Sequence, residues 1–236
     1  MKQLSILFIS LIALVSTSCK KVYGDGPMVT ETREVNNFSG ADLRCSGEVI
    51  YRQGNEYKVV VTAQQNILNI LQTYTSNNRL VIRFKDDVKV RSHDPIRVEV
   101  TAPTASGFRI SGNGSIRTEG LLTSSRMDLE VSGSGNINIS QFKVDYIDAT
   151  ISGSGNMSVI EGSANEENTR ISGSGNIDFL NVPVAKATTE TSGSGDTYVN
   201  VSQNLDVKIS GSGSVFYKGR PVISTRISGS GKVLPR

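Results

Sequence analysis

Acid-base and metal chemistry would start from carboxylates that a fold can bring together, and the best pair in this sequence is Asp128 and Asp148, twenty residues apart, with Asn168 a further twenty on. If that spacing is one structural repeat, the two carboxylates lie about 5 Å apart on neighbouring strands. A retaining glycosidase uses such a separation, and a Ca²⁺ ion could bridge it. The competing reading is a solvated face. At an effective dielectric near 20 two such charges repel by about 3 kcal/mol, and by about 1 kcal/mol in water. The next positions in the series are Thr188 and Asp206, so the carboxylate run breaks. With one His, two Cys and no Trp in 236 residues, multi-His metal sites and four-cysteine zinc sites lack their ligands. His93, between Ser92 and Asp94, sits in a polar loop and is not expected to carry a functional role. Tyr198, Phe216 and Leu234, spaced by eighteen residues, form the other notable series. It is an apolar strip that could stack on sugar rings or meet a protein, and could equally be covered by a loop or a second chain.

Cys19 offers a different chemistry. Residues 1–18 open with Lys2, run through an apolar core from Leu4 to Val15 and close on Ser16-Thr17-Ser18. That is the three-part organisation of a secretory signal, and the apolar run is too short for a bilayer span of about 20 residues. Val15-Ser16-Thr17-Ser18-Cys19 resembles a bacterial lipobox, although Ser16 stands where a Leu is usual. It makes Cys19 the expected lipid attachment site. Several acyl chains on one Cys would hold the protein on a membrane essentially permanently. Lys20 is not the Asp that resembles an inner-membrane retention signal, so the outer membrane is the expected location, its periplasmic or surface side being open. Residues 19–34 hold Gly24-Asp25-Gly26-Pro27 without apolar periodicity and read as a lipid-anchored flexible tether. Cys45, in the alternating run Ala41-Asp42-Leu43-Arg44-Cys45, reads as a small buried apolar residue.

The elements that must position these residues follow from an internal repeat. Ser-Gly recurs at Ser111, Ser132, Ser152, Ser172, Ser192, Ser210 and Ser228, in steps of 21, 20, 20, 20, 18 and 18 residues. Aligned on that Ser, the preceding residue is Ile110, Val131, Ile151, Ile171, Thr191, Ile209 or Ile227. The residue two before it is Arg109, Glu130, Thr150, Arg170, Glu190, Lys208 or Arg226. Apolar and polar columns therefore alternate with the period of a strand. Each repeat is one coil of a solenoid whose strands stack in parallel about 4.8 Å apart, a rod of roughly 30 Å for seven coils. The charge column predicts a ladder of ion pairs, and Asn136, Asn156 and Asn176 predict a stack of amides at one corner.

Residues 106–236 are thus the repeat coils, and residues 35–105 keep strand patterns without the Ser-Gly theme. Ile67, Leu68, Ile70 and Leu71 predict a short helix capping the rod. The expected fold is all-β, a parallel β-helix of about 18–21 residues per coil with an irregular N-terminal part, in one domain spanning 35–236.

Asn37-Phe38-Ser39-Gly40, Gln53-Gly54-Asn55-Glu56-Tyr57-Lys58-Val59, Gln65-Asn66-Ile67-Leu68 and the repeated Ser-Gly-Ser-Gly-Asn-Ile together resemble the auto-transporter adhesin head GIN domain family, bacterial envelope proteins of which many are lipoproteins. The resemblance covers roughly Val35 to Arg236 and implies a right-handed parallel β-helix. It transfers no catalytic residue.

Twenty-five Lys+Arg against 22 Asp+Glu give a formal charge of +3, too balanced for a nucleic-acid binder. No cofactor is implied. The expected function is a non-enzymatic, membrane-anchored envelope protein that presents a rigid rod for adhesion or for protein or glycan contacts. A carbohydrate-binding or polysaccharide-degrading β-helix is the alternative, and self-association into a homo-oligomer is left open.

Overall fold

The computed structural model describes residues 20–236; residues 1–18, expected to be a secretory signal, and Cys19 lie outside the described residues. The chain winds into a parallel β-solenoid of about six turns. Along the repeats every second side chain is buried, as in the pattern over Arg126–Gly133, where Met127, Leu129 and Val131 point inward and Asp128 and Glu130 outward.

Two long faces carry the stack. On the first, Arg79–Phe84, Gly40–Leu43, Gly107–Gly112, Arg126–Gly133, Tyr146–Gly153, Glu166–Gly173, the second half of Asn176–Gly193, the second half of Thr197–Gly211 and Val222–Gly229 pair in that order, all in parallel. Eight strand spacings make this face about 38 Å long. The repeat serines stand in one register from Ser111 to Ser228. Ile110, Val131, Ile151, Ile171, Thr191 and Ile209 stack inside, each at most 1% exposed, in one contiguous core. Ile227, expected in the same column, is 42% exposed, because among the described residues no further coil covers the last rung.

The corners explain the glycines. Gly173 has φ +133°, a region closed to residues with a Cβ, and a Cβ there would also collide with the Gly153 carbonyl of the rung beneath. At the adjacent turn, Asn156 Nδ2 donates to Asn136 Oδ1 (3.0 Å) and Asn176 Nδ2 to Asn156 Oδ1 (3.2 Å). Asp196 continues the column by accepting the Ser214 N–H at 2.8 Å. On the outward column Arg109 pairs with Glu130, while Glu190 sits between Arg170 (3.0 Å) and Lys208 (2.6 Å). The Lys208 and Arg170 hydrogen bonds hold the Glu190 carboxyl below its usual range. These pairs are solvent-exposed and fix register more than they stabilise.

The N-terminal part stacks out of chain order. Gly40–Leu43 and Glu48–Gln53 lie directly on Gly107–Gly112 and Ser115–Glu119, and the strands Arg79–Phe84 and Arg97–Ala102 stack outside them. Antiparallel strands then close the end: Lys58–Gln64 on Arg97–Ala102, Met28–Arg33 on Lys58–Gln64, and Leu71–Ser76 on Arg79–Phe84. The expected short helix is present as Gln65–Leu68, with Ile67 and Leu68 buried against the core.

One expectation is corrected. The segment from residue 20 to 33, read as a flexible tether, is docked on the body. Lys20–Tyr23 pairs in parallel with Val88–Ser92, and Met28–Arg33 is the antiparallel edge strand of the cap. Only one face of each strand is partly buried, so the apolar alternation is too thin to read in the sequence. Side-chain bonds hold the connection: Asn66 Nδ2 donates to the Tyr23 carbonyl at 2.7 Å, and the Asp25 N–H donates to Asn66 Oδ1 at 3.1 Å.

Candidate functional site

The register brings Tyr198, Phe216 and Leu234 onto one outward column of the second face, in strands Thr197–Gly211, Val215–Lys218 and Val233–Pro235. The Tyr198 and Phe216 rings stack with centroids 4.9 Å apart and planes 12° from parallel. That separation matches the strand spacing, so the rings cover each other's faces along the rod and present their edges outward. Leu234 prolongs the strip and is 38% exposed. The Arg236 guanidinium lies 5.2 Å from the Tyr198 ring centroid, a cation–π contact that adds charge to its rim. Earlier rungs put Asn138, Ser158 and Asp178 in this column, so the apolar strip is confined to the coils farthest from the N-terminal cap.

Asp128 and Asp148 are register neighbours with Asn168 on the next rung, as the spacing predicts. They share a cation supplied by the protein itself. Arg126 donates from Nε to Asp128 Oδ1 at 2.6 Å and from Nη2 to Asp148 Oδ2 at 3.1 Å, and its guanidinium lies over the Tyr146 ring at 4.6 Å. The Asp128 hydrogen bond pushes the Arg126 pKa up. Both carboxylates are thereby engaged by one side chain that a metal ion or a sugar would have to displace. Arg126 could have been found in the sequence, since a residue two before Asp128 must share its face. Among the described residues no group of three or more His, Cys, Asp or Glu side chains is placed to hold a metal ion.

His93 is better partnered than its polar surroundings suggested. Its Nδ1 is 2.6 Å from the Asp94 carbonyl, which can only accept, so Nδ1 carries the proton and Nε2 accepts from Ser46 Oγ at 2.8 Å. Phe84 packs edge-on against the imidazole at 5.9 Å, and the Asp94 N–H donates to Gln64 Oε1 at 3.0 Å. The His93 loop thus ties Val88–Ser92 to the body. Cys45 is buried as expected, and burial pushes its thiol up to about 12.

Two features escaped the sequence. One is an exposed ion network on the second face, where Arg117 bridges Glu48 (2.9 Å) and Glu119, and Arg52 bridges Glu99 (3.4 Å) and Glu119. The other is Glu167, which occupies an inward position between Ile147 and Ala187 and is 2% exposed. Neither of its carboxyl oxygens has a partner, and burial raises its pKa well above the ordinary value.

The fold and the strip can be set beside known proteins. A putative adhesin from Bacteroides fragilis superposes with a TM-score of 0.84 at 24% identity, covering 91% of this chain and 100% of that one. A putative adhesin from Parabacteroides distasonis gives 0.75 at 24% identity, covering 92% and 100%. A protein named as a putative lipid binding protein, also from Parabacteroides distasonis, gives 0.75 at 22% identity with the same coverage. At these identities the likeness establishes the shared fold. No functionally curated protein matches the chain. The sequence profile of the putative auto-transporter adhesin head GIN domain matches residues 37–221, nearly the whole solenoid, and the chain belongs to that family.

Proposed function

We propose that the protein is a non-enzymatic, lipid-anchored protein of the cell envelope whose rod presents the Tyr198–Phe216–Leu234 strip as an adhesive contact surface. The observation that carries this reading is the placement of the strip: this outward column turns apolar in the coils farthest from the capped end that follows Cys19. Because the rings present edges rather than open faces, the strip suits a protein partner better than the flat face of a sugar ring. The engagement of Asp128 and Asp148 by Arg126 supports a contact surface over a hydrolytic centre. Membership of an adhesin-like envelope family supports the location. Acylation at Cys19, with the outer membrane as its site, supplies the anchor.

Beads coated with the acyl-free body test the contact surface by their retention on bacterial and host cell layers, beside a triple Tyr198→Ser, Phe216→Ser, Leu234→Ser variant. Retention that falls about tenfold with an unchanged unfolding temperature is expected. Equal retention of the two proteins removes the strip from the reading, and release of reducing ends from a polysaccharide panel replaces it with an enzyme. Cys19→Ser should abolish lipid labelling and leave the protein either uncleaved or soluble. Unchanged lipid labelling and processing of the Cys19→Ser protein would refute the anchor.

A further inference from the structure

The strand that follows Cys19 and its single partner form a ribbon with two unlike faces. Lys20–Tyr23 and Val88–Ser92 pair only with each other, as a sheet separate from the rest of the solenoid. Val22 and Val90 pack against the core. The opposite face carries Lys21, Tyr23, Lys89 and Arg91, all exposed, Tyr23 by 59%. Lys21 and Lys89 are direct register partners, an arrangement of like charges that weakens a strand pair. Neither strand contains an acidic residue; the nearest acids, Asp25, Asp87 and Asp94, stand beyond the strand ends, and none of them pairs with Lys21, Lys89 or Arg91.

The ribbon is also fixed in place. The Gly24 N–H donates to the Ser92 carbonyl at 2.6 Å. A Cβ on Gly24 would collide with the Gln64 side chain and come within 2.8 Å of His93 Cα, so this close fit to the body requires glycine. Lys20 is already paired with Val88, which leaves Cys19 one Cα–Cα step, about 3.8 Å, from the ribbon. A lipid on Cys19 therefore cannot hold the body at a distance.

We infer that the exposed face of this ribbon is a membrane-docking surface that lies on the anionic headgroup layer in which the acylated Cys19 is embedded. The inference rests on the proposed acylation for its geometry. The occupant follows from charge and position: lipid phosphates within reach of Lys21, Lys89 and Arg91 relieve the unpaired cations, and Tyr23 beside them is a side chain with an apolar body and a polar tip, suited to a bilayer interface. Docking this face holds the N-terminal coils at the membrane, and the Tyr198–Phe216–Leu234 strip lies on the coils farthest along the stack from them.

The test uses the mature acylated chain on vesicles of phosphatidylethanolamine and phosphatidylglycerol, with an amine-acylating reagent and peptide mass spectrometry to read each lysine. Lys21 and Lys89 should react at least fivefold more slowly than in the acyl-free body of residues 20–236, which contains every described element, while Lys143 and Lys218 keep their solution rates. Solution-rate labelling of Lys21 and Lys89 in vesicle-held protein overturns the docking face. A second arm sediments the acyl-free body with the same vesicles at low salt. Each cation near an anionic surface contributes about fivefold, so Lys21→Glu/Lys89→Glu/Arg91→Glu should weaken binding by well over tenfold, and vesicles of phosphatidylcholine should not bind either protein. Equal sedimentation of the body and its triple variant overturns the inference. A chain whose N-terminal peptide carries no acyl mass refutes the anchor alone, and the second arm then decides the basic face by itself.

Discussion

Replacing Glu167 by Met should make the protein more stable, and increasingly so as the pH rises. Glu167 sits in an inward column that reads Met127, Ile147, Glu167, Ala187, Leu205, so Met is a side chain this column already accommodates. Both Glu167 oxygens are buried without a hydrogen-bond partner, and the hydroxyls of Thr169, Thr189 and Thr191 inside the same rungs are likewise unpartnered. Removing such a group in favour of an apolar one of similar shape is expected to gain about 1–3 kcal/mol. The pH dependence follows from linkage. Burial raises the folded-state pKa of Glu167, so over the interval between the unfolded value, about 4.3, and the raised folded value the native protein keeps a proton that the unfolded chain has lost. Stability is therefore greatest below the unfolded value and falls by about 1.4 kcal/mol per pH unit as the pH climbs through that interval. Carboxylates such as Glu119 and Glu190, whose pKa values their cationic partners lower, give the opposite slope at acid pH. They are common to both proteins and cancel in the difference. Urea unfolding of wild type and Glu167→Met at pH 4.5, 5.5, 6.5 and 7.5 measures that difference. A constant gap across the series, or a less stable Met variant, would refute the placement of an unpartnered acid in the core.

Three further outcomes follow from the same stacking. Ile171→Asp, between Ile151 and Thr191, should cost several kcal/mol by burying an unpaired carboxylate, whereas Arg170→Ala, with a side chain 55% exposed, should cost under about 1 kcal/mol; comparable losses in urea unfolding would contradict the column assignment. Gly173→Ala meets both a positive φ and the Gly153 carbonyl and should cost more than the roughly 1 kcal/mol lost at Gly26, where φ is +82° but nothing lies near a Cβ; paired thermal unfolding curves compare the two. The Cys45 thiol, pushed up to about 12 by burial, should react with a thiol reagent at pH 8 only after denaturation, which a colorimetric thiol assay reads directly.

The repeat coils were legible because one period sets every rung: aligning seven serines assigned the inward column, the ion ladder and the corner amides together. Glu167 was within reach of the same alignment, five places before Ser172, where its flanking Ile147 and Ala187 mark an inward position. The N-terminal coils were not legible in this way. Gly40–Leu43 finds its partners at Gly107 and Leu80, pairings that no local pattern encodes. The docked ribbon was hidden by its composition, since its first strand offers the single inward valine Val22 among Lys20, Lys21 and Tyr23, and its partner Val88–Ser92 lies some seventy residues away. The Tyr198–Phe216–Leu234 strip followed from period and alternation, but the stacking of the rings and the Arg236 contact depend on side-chain conformations that spacing does not determine.

The interleaved N-terminal coils also impose an order of events on a chain that emerges from its amino end. The rung formed by Gly40–Leu43 and Glu48–Gln53 has one neighbour from residues 79–102 and the other from residues 107–119. The strand after Cys19 waits in turn for Val88–Ser92. Met28–Arg33 can pair as soon as Lys58–Gln64 has formed, but the Lys20–Tyr23 strand and the inner rung cannot complete their backbone pairing until residues 88–92 and 107–119 have been made. Each later coil needs only the one laid down before it, so assembly changes from a single long-range closure to stepwise winding. A chain stalled before Gly107 would expose the inner rung as an open edge, which makes that interval the one in which a chaperone or protease has the most to hold.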